Sequence, residues 1–173
     1  MLRILITTMI LWMLASSSSL GQQYTQRPYL VSFVDTLRNE YGYREPSGPV
    51  RIPLGKFSIC YTDTFRTFAI VLKPSTGLVA INRAEKVLYQ VYSIDNGPDY
   101  SSNGLFRIVK NGKIGYADAH TGKVVITPMF SCAFPFENGR AKVSKHCSIK
   151  PDGEHQVWLS TEWFYIDKKG RRL

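Results

Sequence analysis

The chain has 173 residues and a formal net charge of +9. This length suits one ordinary domain. Its 22 Lys and Arg residues are scattered along the chain instead of forming one basic stripe, so we do not expect a nucleic-acid-binding protein.

The first 21 residues have the layout of a secretory signal peptide. Residues 1–3 carry one positive charge at Arg3, residues 4–15 are almost wholly apolar, and residues 16–21 are rich in serine and end at Gly21. The apolar stretch is shorter than the roughly 20 residues that a membrane-spanning helix needs. We therefore predict a signal peptide over residues 1–21, a periplasmic or secreted protein, and no transmembrane segment after cleavage.

Cleavage after Gly21 leaves 152 of the 173 residues and removes only one charged side chain, Arg3, so the net charge becomes +8. A basic exported protein favours acidic partners. The alternative is that the charge only keeps the protein soluble.

The next segment, residues 22–38, is predicted to cap the domain. Between positions 29 and 41, apolar side chains follow helical spacing, which favours one short N-terminal helix over a strand. The residues in question are Leu30, Phe33, Val34, Leu37 and Tyr41.

Residues 39–173 contain a repeated unit of about 35 residues. The clearest copy runs over residues 111–145, and a second copy lies about 73 residues upstream, over residues 39–73. A degraded copy fills residues 74–110, and a partial copy covers residues 158–173. Glycine, phenylalanine, cysteine and an Ala-x-Val triplet recur in the same order in the two clear copies.

Each unit is predicted to form short antiparallel strands. Residues 114–118 and 123–126 are rich in β-branched and aromatic residues and flank a turn with Gly122, which is typical of a β-hairpin. A single hairpin cannot bury its own apolar face, so neighbouring units must cover one another. The predicted fold is mainly β: tandem antiparallel β-hairpin repeats stacked as a small repeat array.

The residues of these units resemble the WG-repeat family of bacterial exported proteins. The motifs that carry the resemblance are Lys113 to Asp118, Gly122 to Ile126, Pro135 to Val143 and Tyr165 to Gly170. The chain departs from the family pattern because it has no Trp-Gly dipeptide. The resemblance implies an array of β-strand repeats without an established common activity.

Three cysteines in an oxidising compartment predict one disulfide and one remaining thiol. Cys132 and Cys147 are close in sequence and flank one predicted strand, so we expect them to pair. Cys60 is then expected to be a small buried side chain. Cys60 and Cys132 fall at equivalent positions in units two apart, which argues against a bond between them.

The most distinctive departure from the repeat is an insertion at residues 146–160, between the last two units. Long excursions from a repeat tend to carry function. We predict a binding loop there that contains His146, Asp152, Glu154, His155 and Trp158. Trp158 is either exposed on this loop or mostly buried as the start of the last hairpin. The His, Cys, Asp and Glu spacing matches no zinc pattern, so no metal is predicted.

No group of residues in the sequence forms a catalytic motif. Serines are absent from any Gly-x-Ser-x-Gly elbow, and the segment from Asp95 to Asp99 is typical of a turn. We therefore predict no catalytic residues and no cofactor, and we expect a non-catalytic binding or scaffold module for a protein or glycan. The alternative is an exported hydrolase that acts on cell-envelope material or polysaccharide, with its catalytic pair drawn from Asp95, Asp99 and Glu137.

Overall fold

The computed structural model of the protein describes residues 29–153 and 155–173, without the side chains of residues 155 and 156. The predicted signal peptide, residues 1–21, lies outside this part of the chain. All regular secondary structure in the described residues is β-strand, which confirms the predicted fold class. None of these residues forms a helix long and apolar enough to cross a membrane.

The strands form three successive three-stranded antiparallel meanders and a final two-stranded unit, which we call units 1 to 4, and short strands link one unit to the next. Unit 1 consists of β1 (Leu30–Asp35), β2 (Glu40–Arg44) and β3 (Val50–Phe57). The linker to unit 2 contains β4 (Ile59–Cys60) and β5 (Thr64–Phe65). Unit 2 consists of β6 (Phe68–Lys73), β7 (Gly77–Asn82) and β8 (Val87–Val91). The next linker contains β9 (Ser93–Ile94) and β10 (Gly97–Pro98).

The second half of the chain repeats this order. Unit 3 consists of β11 (Leu105–Lys110), β12 (Lys113–Asp118) and β13 (Val124–Phe130), and its linker contains β14 (Cys132–Ala133). Unit 4 begins with β15 (Arg140–Ser144) and continues at β18 (Phe164–Asp167). Between these two strands lies a hairpin of β16 (Ser148–Asp152) and β17 (His155–Leu159), which we call the insertion hairpin. With the units defined by these strands, the insertion lies inside unit 4, in the turn after its first strand.

The units join through linker strands and, between units 2 and 3, through direct pairing of β8 with β11. Units 2 and 3 share one seven-stranded sheet in the order β13-β12-β11-β8-β7-β6-β4. Unit 1 forms a four-stranded sheet in the order β3-β2-β1-β5, and unit 4 forms a three-stranded sheet in the order β14-β15-β18. The first and third linkers thus add short strands to neighbouring units, which is how a meander too small to be stable alone gains cover, whereas β9 and β10 of the second linker pair with each other.

The predicted N-terminal helix over residues 29–41 is wrong, because these residues form β1 and the start of β2. The turn between the strands determines this outcome. The Asp35 side chain accepts hydrogen bonds from the backbone N–H groups of Leu37 and Arg38, at 2.9 and 3.2 Å, and Asn39 has a φ of 53°. Leu37, which the helical spacing placed on an apolar face, is 96% exposed at the turn.

Units 1 and 3 repeat the same packing detail by detail. The second strand holds a glycine, Gly42 in unit 1 and Gly115 in unit 3. A Cβ added to this glycine would overlap a carbonyl oxygen of the third strand, that of Ile52 or Ile126 respectively. The next residue is a fully buried tyrosine, Tyr43 or Tyr116, with an exposed fraction of 0% or 1%. The absence of a side chain at the glycine lets the third strand cross closely at the β-bulge seen in both units.

The backbone pairing corrects the predicted equivalence of two cysteines. Cys60 lies opposite Val71, and the residue opposite the corresponding Val143 is Ala133, not Cys132. Because successive side chains of a strand point to opposite faces, this shift of one residue places the two sulfurs on opposite sides of their sheets. Cys60 faces the core of unit 1, where it is buried as predicted, and Cys132 faces the other side of β14.

We expect Gly115→Ala to destabilise the protein by about 3 kcal/mol, because a Cβ at this position overlaps the backbone of Ile126 and Pro128 and the crossing strand must move. Gly97→Ala is the matched control. A Cβ at Gly97 meets no atom within 4 Å, so its effect is expected to stay within about 0.5 kcal/mol. Urea denaturation curves of the two variants measure the difference, and equal midpoints would contradict the close crossing.

Candidate functional site

The insertion hairpin is fixed to the rest of the molecule at its base by a disulfide. Cys132 of β14 and Cys147 form this bond with a Cα–Cα distance of 6.0 Å, which confirms the predicted pairing. The hydroxyl of Ser160 donates a 2.6 Å hydrogen bond to the carbonyl of His146 and lies 2.8 Å from the hydroxyl of Ser144. Both ends of the insertion are therefore held against β15.

Trp158 of β17 joins the insertion hairpin to the core. It is half-buried, and its ring packs edge to face on Phe134 at a centroid distance of 5.3 Å and on Tyr92 at 6.2 Å. The structure thus lies between the two expectations for this residue, since one edge of the ring anchors the hairpin and the rest faces solvent.

Of the other predicted loop residues, the two whose side chains the structure describes, His146 and Asp152, do not lie together. His146 lies 2.8 Å from Glu162, and both side chains are mostly exposed, at 77% and 63%. The backbone of Asp152 lies opposite that of His155 where β16 meets β17, at the exposed end of the hairpin. Glu154 lies outside the described residues. Within residues 29–153 and 155–173, no group of three His, Cys, Asp or Glu residues could hold a metal ion.

The outer face of the unit 4 sheet carries a continuous row of cations and aromatic rings, which the sequence analysis did not identify. We call it the aromatic face, and it consists of Phe134, Arg140, Lys142, Trp163 and Tyr165. It arises from strand alternation: Ala141 and Val143 of β15 point into the core, so the residues between them point outward.

Each cation of the aromatic face lies over a ring. The guanidinium of Arg140 is 4.9 Å from the Tyr165 ring centroid, and the ammonium of Lys142 is 5.0 Å from that of Trp163. The Trp163 ring in turn contacts Phe134 at 5.4 Å. Phe134 and Tyr165 remain 40% and 42% exposed. Such a surface offers flat apolar area and positive charge together, which suits binding more than catalysis.

A buried ion pair joins Asp99, in the linker before unit 3, to Arg107 of β11. One Asp99 oxygen accepts hydrogen bonds from the backbone N–H and the Nε of Arg107, at 2.8 and 3.0 Å, and the other accepts one from Nη2 at 2.6 Å. Both residues are at least 95% buried. The Arg107 guanidinium also donates to the carbonyl of Ala133 and lies 4.2 Å from the Tyr92 ring centroid. Asp95, by contrast, is exposed in a turn with a φ of 50°.

A cleft with a volume of about 790 Å³ lies between the first two linkers and the end of β12. It is lined by aromatic side chains such as Tyr61, Phe68 and Tyr100, together with several threonines. Asp99 is the one carboxylate among its lining residues, and Arg107 occupies both of its oxygens. The cleft therefore lacks the pair of free carboxylates that a glycosidase needs.

Burial sets the titration of the groups inside the units. It raises the pKa of the Cys60 thiol to about 11 and raises the pKa values of Tyr43 and Tyr116. At neutral pH these groups are uncharged, and Cys60 is not a reactive thiolate. They act as parts of the core.

We expect Cys147→Ser to lower the free energy of unfolding by about 3 kcal/mol, since the lost bond closes a loop of 15 residues. Chemical denaturation with and without dithiothreitol measures this effect. The reductant should destabilise the native protein to the level of the variant and leave the variant unchanged. Equal sensitivity of both proteins to the reductant would contradict the assignment.

We expect Asp99→Asn to destabilise the protein by about 3–5 kcal/mol, because it leaves the buried Arg107 guanidinium without a counter-charge. Asp95→Asn is the control, since Asp95 is exposed and asparagine readily adopts its positive φ. Thermal denaturation compares the variants, and a small loss for Asp99→Asn would show that water reaches the ion pair.

Comparison with known proteins identifies one segment. Residues 114–146 match the family described as WG containing repeat. No curated protein and no solved structure gives a significant match. The matched segment runs from β12 through β15 and includes the linker with Phe134 and Phe136. Its Gly115 and Tyr116 pack as Gly42 and Tyr43 do in unit 1. This match over residues 114–146 supports the resemblance to the WG-repeat family that the sequence motifs indicated.

Proposed function

We propose that the protein is an exported, non-catalytic binding module that holds a protein or glycan partner on its aromatic face. The observation that carries this proposal is the open row of stacked cations and rings on unit 4, from Arg140 over Tyr165 to Lys142 over Trp163. Tryptophan, tyrosine and arginine are the residues that contribute most to binding energy at protein interfaces.

The rigidity of the surroundings supports a binding role. Arg140, Lys142 and Tyr165 lie on paired strands, and the disulfide at Cys132 and the ring of Trp158 fix the insertion hairpin beside the aromatic face. A surface whose side chains are already in place loses little conformational entropy when a partner binds. The formal charge of +8 that remains after removal of residues 1–21 favours an acidic partner.

The proposal of export is supported by the signal-like residues 1–21 and by the disulfide. Disulfides form and persist mainly in secreted, periplasmic and other extracytoplasmic proteins. In the cytosol, the pairing of Cys132 with Cys147 would be exposed to reducing conditions.

The alternative function is hydrolysis, and one observation favours it, the contact of His146 with Glu162 at 2.8 Å. A catalytic histidine also needs a nucleophile or a bound water in a sheltered site. In the described part of the chain, the His146 ring makes no hydrogen bond with a serine or cysteine, and both members of the pair are open to solvent. We therefore prefer binding to hydrolysis.

Binding assays of Trp163→Ala test the proposed function. The immobilised mature protein is incubated with the extracytoplasmic fraction of its source and, separately, with a panel of glycans. We expect Trp163→Ala to bind its partner about tenfold or more weakly, because the substitution removes the central ring of the face.

Leu37→Ala is the matched control, since Leu37 is 96% exposed in unit 1 and touches no part of the aromatic face. It should bind as the native protein does. If both variants retain every partner at native strength, the aromatic face is not the binding site and the proposed function fails.

A further inference from the structure

The internal repetition shows what normally covers a surface like the aromatic face. The first and second strands of each unit pair in the same register, which brings Ser32 opposite Tyr43 in unit 1, Arg107 opposite Tyr116 in unit 3 and Lys142 opposite Tyr165 in unit 4. The three tyrosines are therefore structurally equivalent. They differ in exposure, which is 0% for Tyr43, 1% for Tyr116 and 42% for Tyr165.

The linker peptide buries the first two tyrosines in the same way. The Tyr43 hydroxyl donates to the carbonyl of Thr62, and its ring packs edge to face on Phe65 at 5.0 Å. The Tyr116 hydroxyl donates to the carbonyl of Phe134. Its ring packs on Phe136 at 4.8 Å. Both hydrogen bonds are 2.7 Å long. An extended peptide thus supplies one carbonyl and one phenylalanine to each tyrosine.

A carboxylate also binds the residue opposite the tyrosine in both units, and it comes from the linker after unit 1 but from the linker before unit 3. Asp63 accepts a 3.3 Å hydrogen bond from the Ser32 hydroxyl, and Asp99 binds the Arg107 guanidinium. Lys142 occupies the same register as Ser32 and Arg107. No carboxylate of the described residues forms an ion pair with Lys142, whose ammonium lies over Trp163. In the described residues, Tyr165 of unit 4 therefore lacks the linker that covers Tyr43 and Tyr116, and Lys142 lacks a carboxylate like the one that binds Arg107.

We propose that the aromatic face binds an extended acidic peptide of a partner protein, which covers unit 4 as the linkers cover units 1 and 3. The peptide places an Asp or Glu carboxylate on Lys142, a backbone carbonyl on the Tyr165 hydroxyl and an aromatic side chain against the Tyr165 ring. This proposal rests on the proposed function and narrows its partner. A peptide supplies all three groups, whereas a polyuronate glycan supplies carboxylates but neither an amide carbonyl nor an aromatic ring.

The test selects peptides from a phage-displayed library of random linear ten-residue sequences on the immobilised mature protein. We expect the selected sequences to be enriched in Asp or Glu together with Phe or Tyr. The strongest peptide is then synthesised and its dissociation constant is measured for the native protein, Lys142→Met and Tyr165→Phe. We expect a loss of about tenfold or more for Lys142→Met and about fivefold for Tyr165→Phe, since charged hydrogen bonds contribute more than neutral ones.

A double-mutant cycle identifies the contact itself. Replacing the acidic residue of the peptide by its amide should weaken binding to the native protein, with little further loss in Lys142→Met. Lys123→Met is the control, since Lys123 is an exposed lysine of unit 3 outside the face, and it should bind as the native protein does. Selected peptides without acidic residues, or unchanged binding by Lys142→Met, would overturn the proposal.

Polygalacturonate, a linear acidic glycan, separates this proposal from the broader one. If polygalacturonate binds the native protein, Trp163→Ala loses that binding, and no peptide is selected above background, then the face is a binding site but its partner is not a peptide. If neither ligand binds and Trp163→Ala retains every natural partner, both the inference and the proposed function are wrong.

Discussion

The structure depends on a single constraint: a tyrosine buried inside a small β-meander must find an acceptor for its hydroxyl. Tyr43 and Tyr116 fill the space that a meander of three short strands cannot fill with its own aliphatic residues. A buried hydroxyl without a partner costs more than the hydrogen bond itself is worth. The linker that follows each of these units supplies the carbonyl, and the hydrogen bond to the tyrosine hydroxyl holds the linker against the sheet. The fold of the unit and the path of the linker are therefore determined together.

The buried ion pair extends the same principle to charge. Arg107 can lie inside the molecule because Asp99 binds its backbone and side chain together and the Ala133 carbonyl takes another of its donors. These contacts join the linker before unit 3 to the linker after it. The neighbouring Tyr92 and Trp158 rings carry the contact on to the insertion hairpin. One polar centre thus connects three segments far apart in sequence.

The sequence predicted the elements that depend on local patterns. Hairpins with Gly or Asn at turns, the repeated order of Gly, Phe and Ala-x-Val, and the pairing of Cys132 with Cys147 all follow from short-range spacing. The prediction of an N-terminal helix was wrong because the Asp35 side chain stabilises a turn within the segment of helical spacing. The aromatic face could not be predicted, because Lys142 and Trp163 meet only when β15 pairs with a strand 20 residues further on. The sequence does indicate one part of this face, since charged and apolar residues alternate from Arg140 to Val143.

The position of the insertion hairpin has a consequence for how such a protein can change. Val143 and Phe164, the cross-strand pair of unit 4 next to the insertion, face each other just as residues joined by a two-residue turn do. The length of chain between them is therefore free to vary without any change in the sheet. Over evolutionary time, or in the laboratory, this turn can accept a different hairpin or a whole small domain while the repeat array stays intact. If Cys147 is kept, its bond to Cys132 would hold the start of the inserted segment against β14.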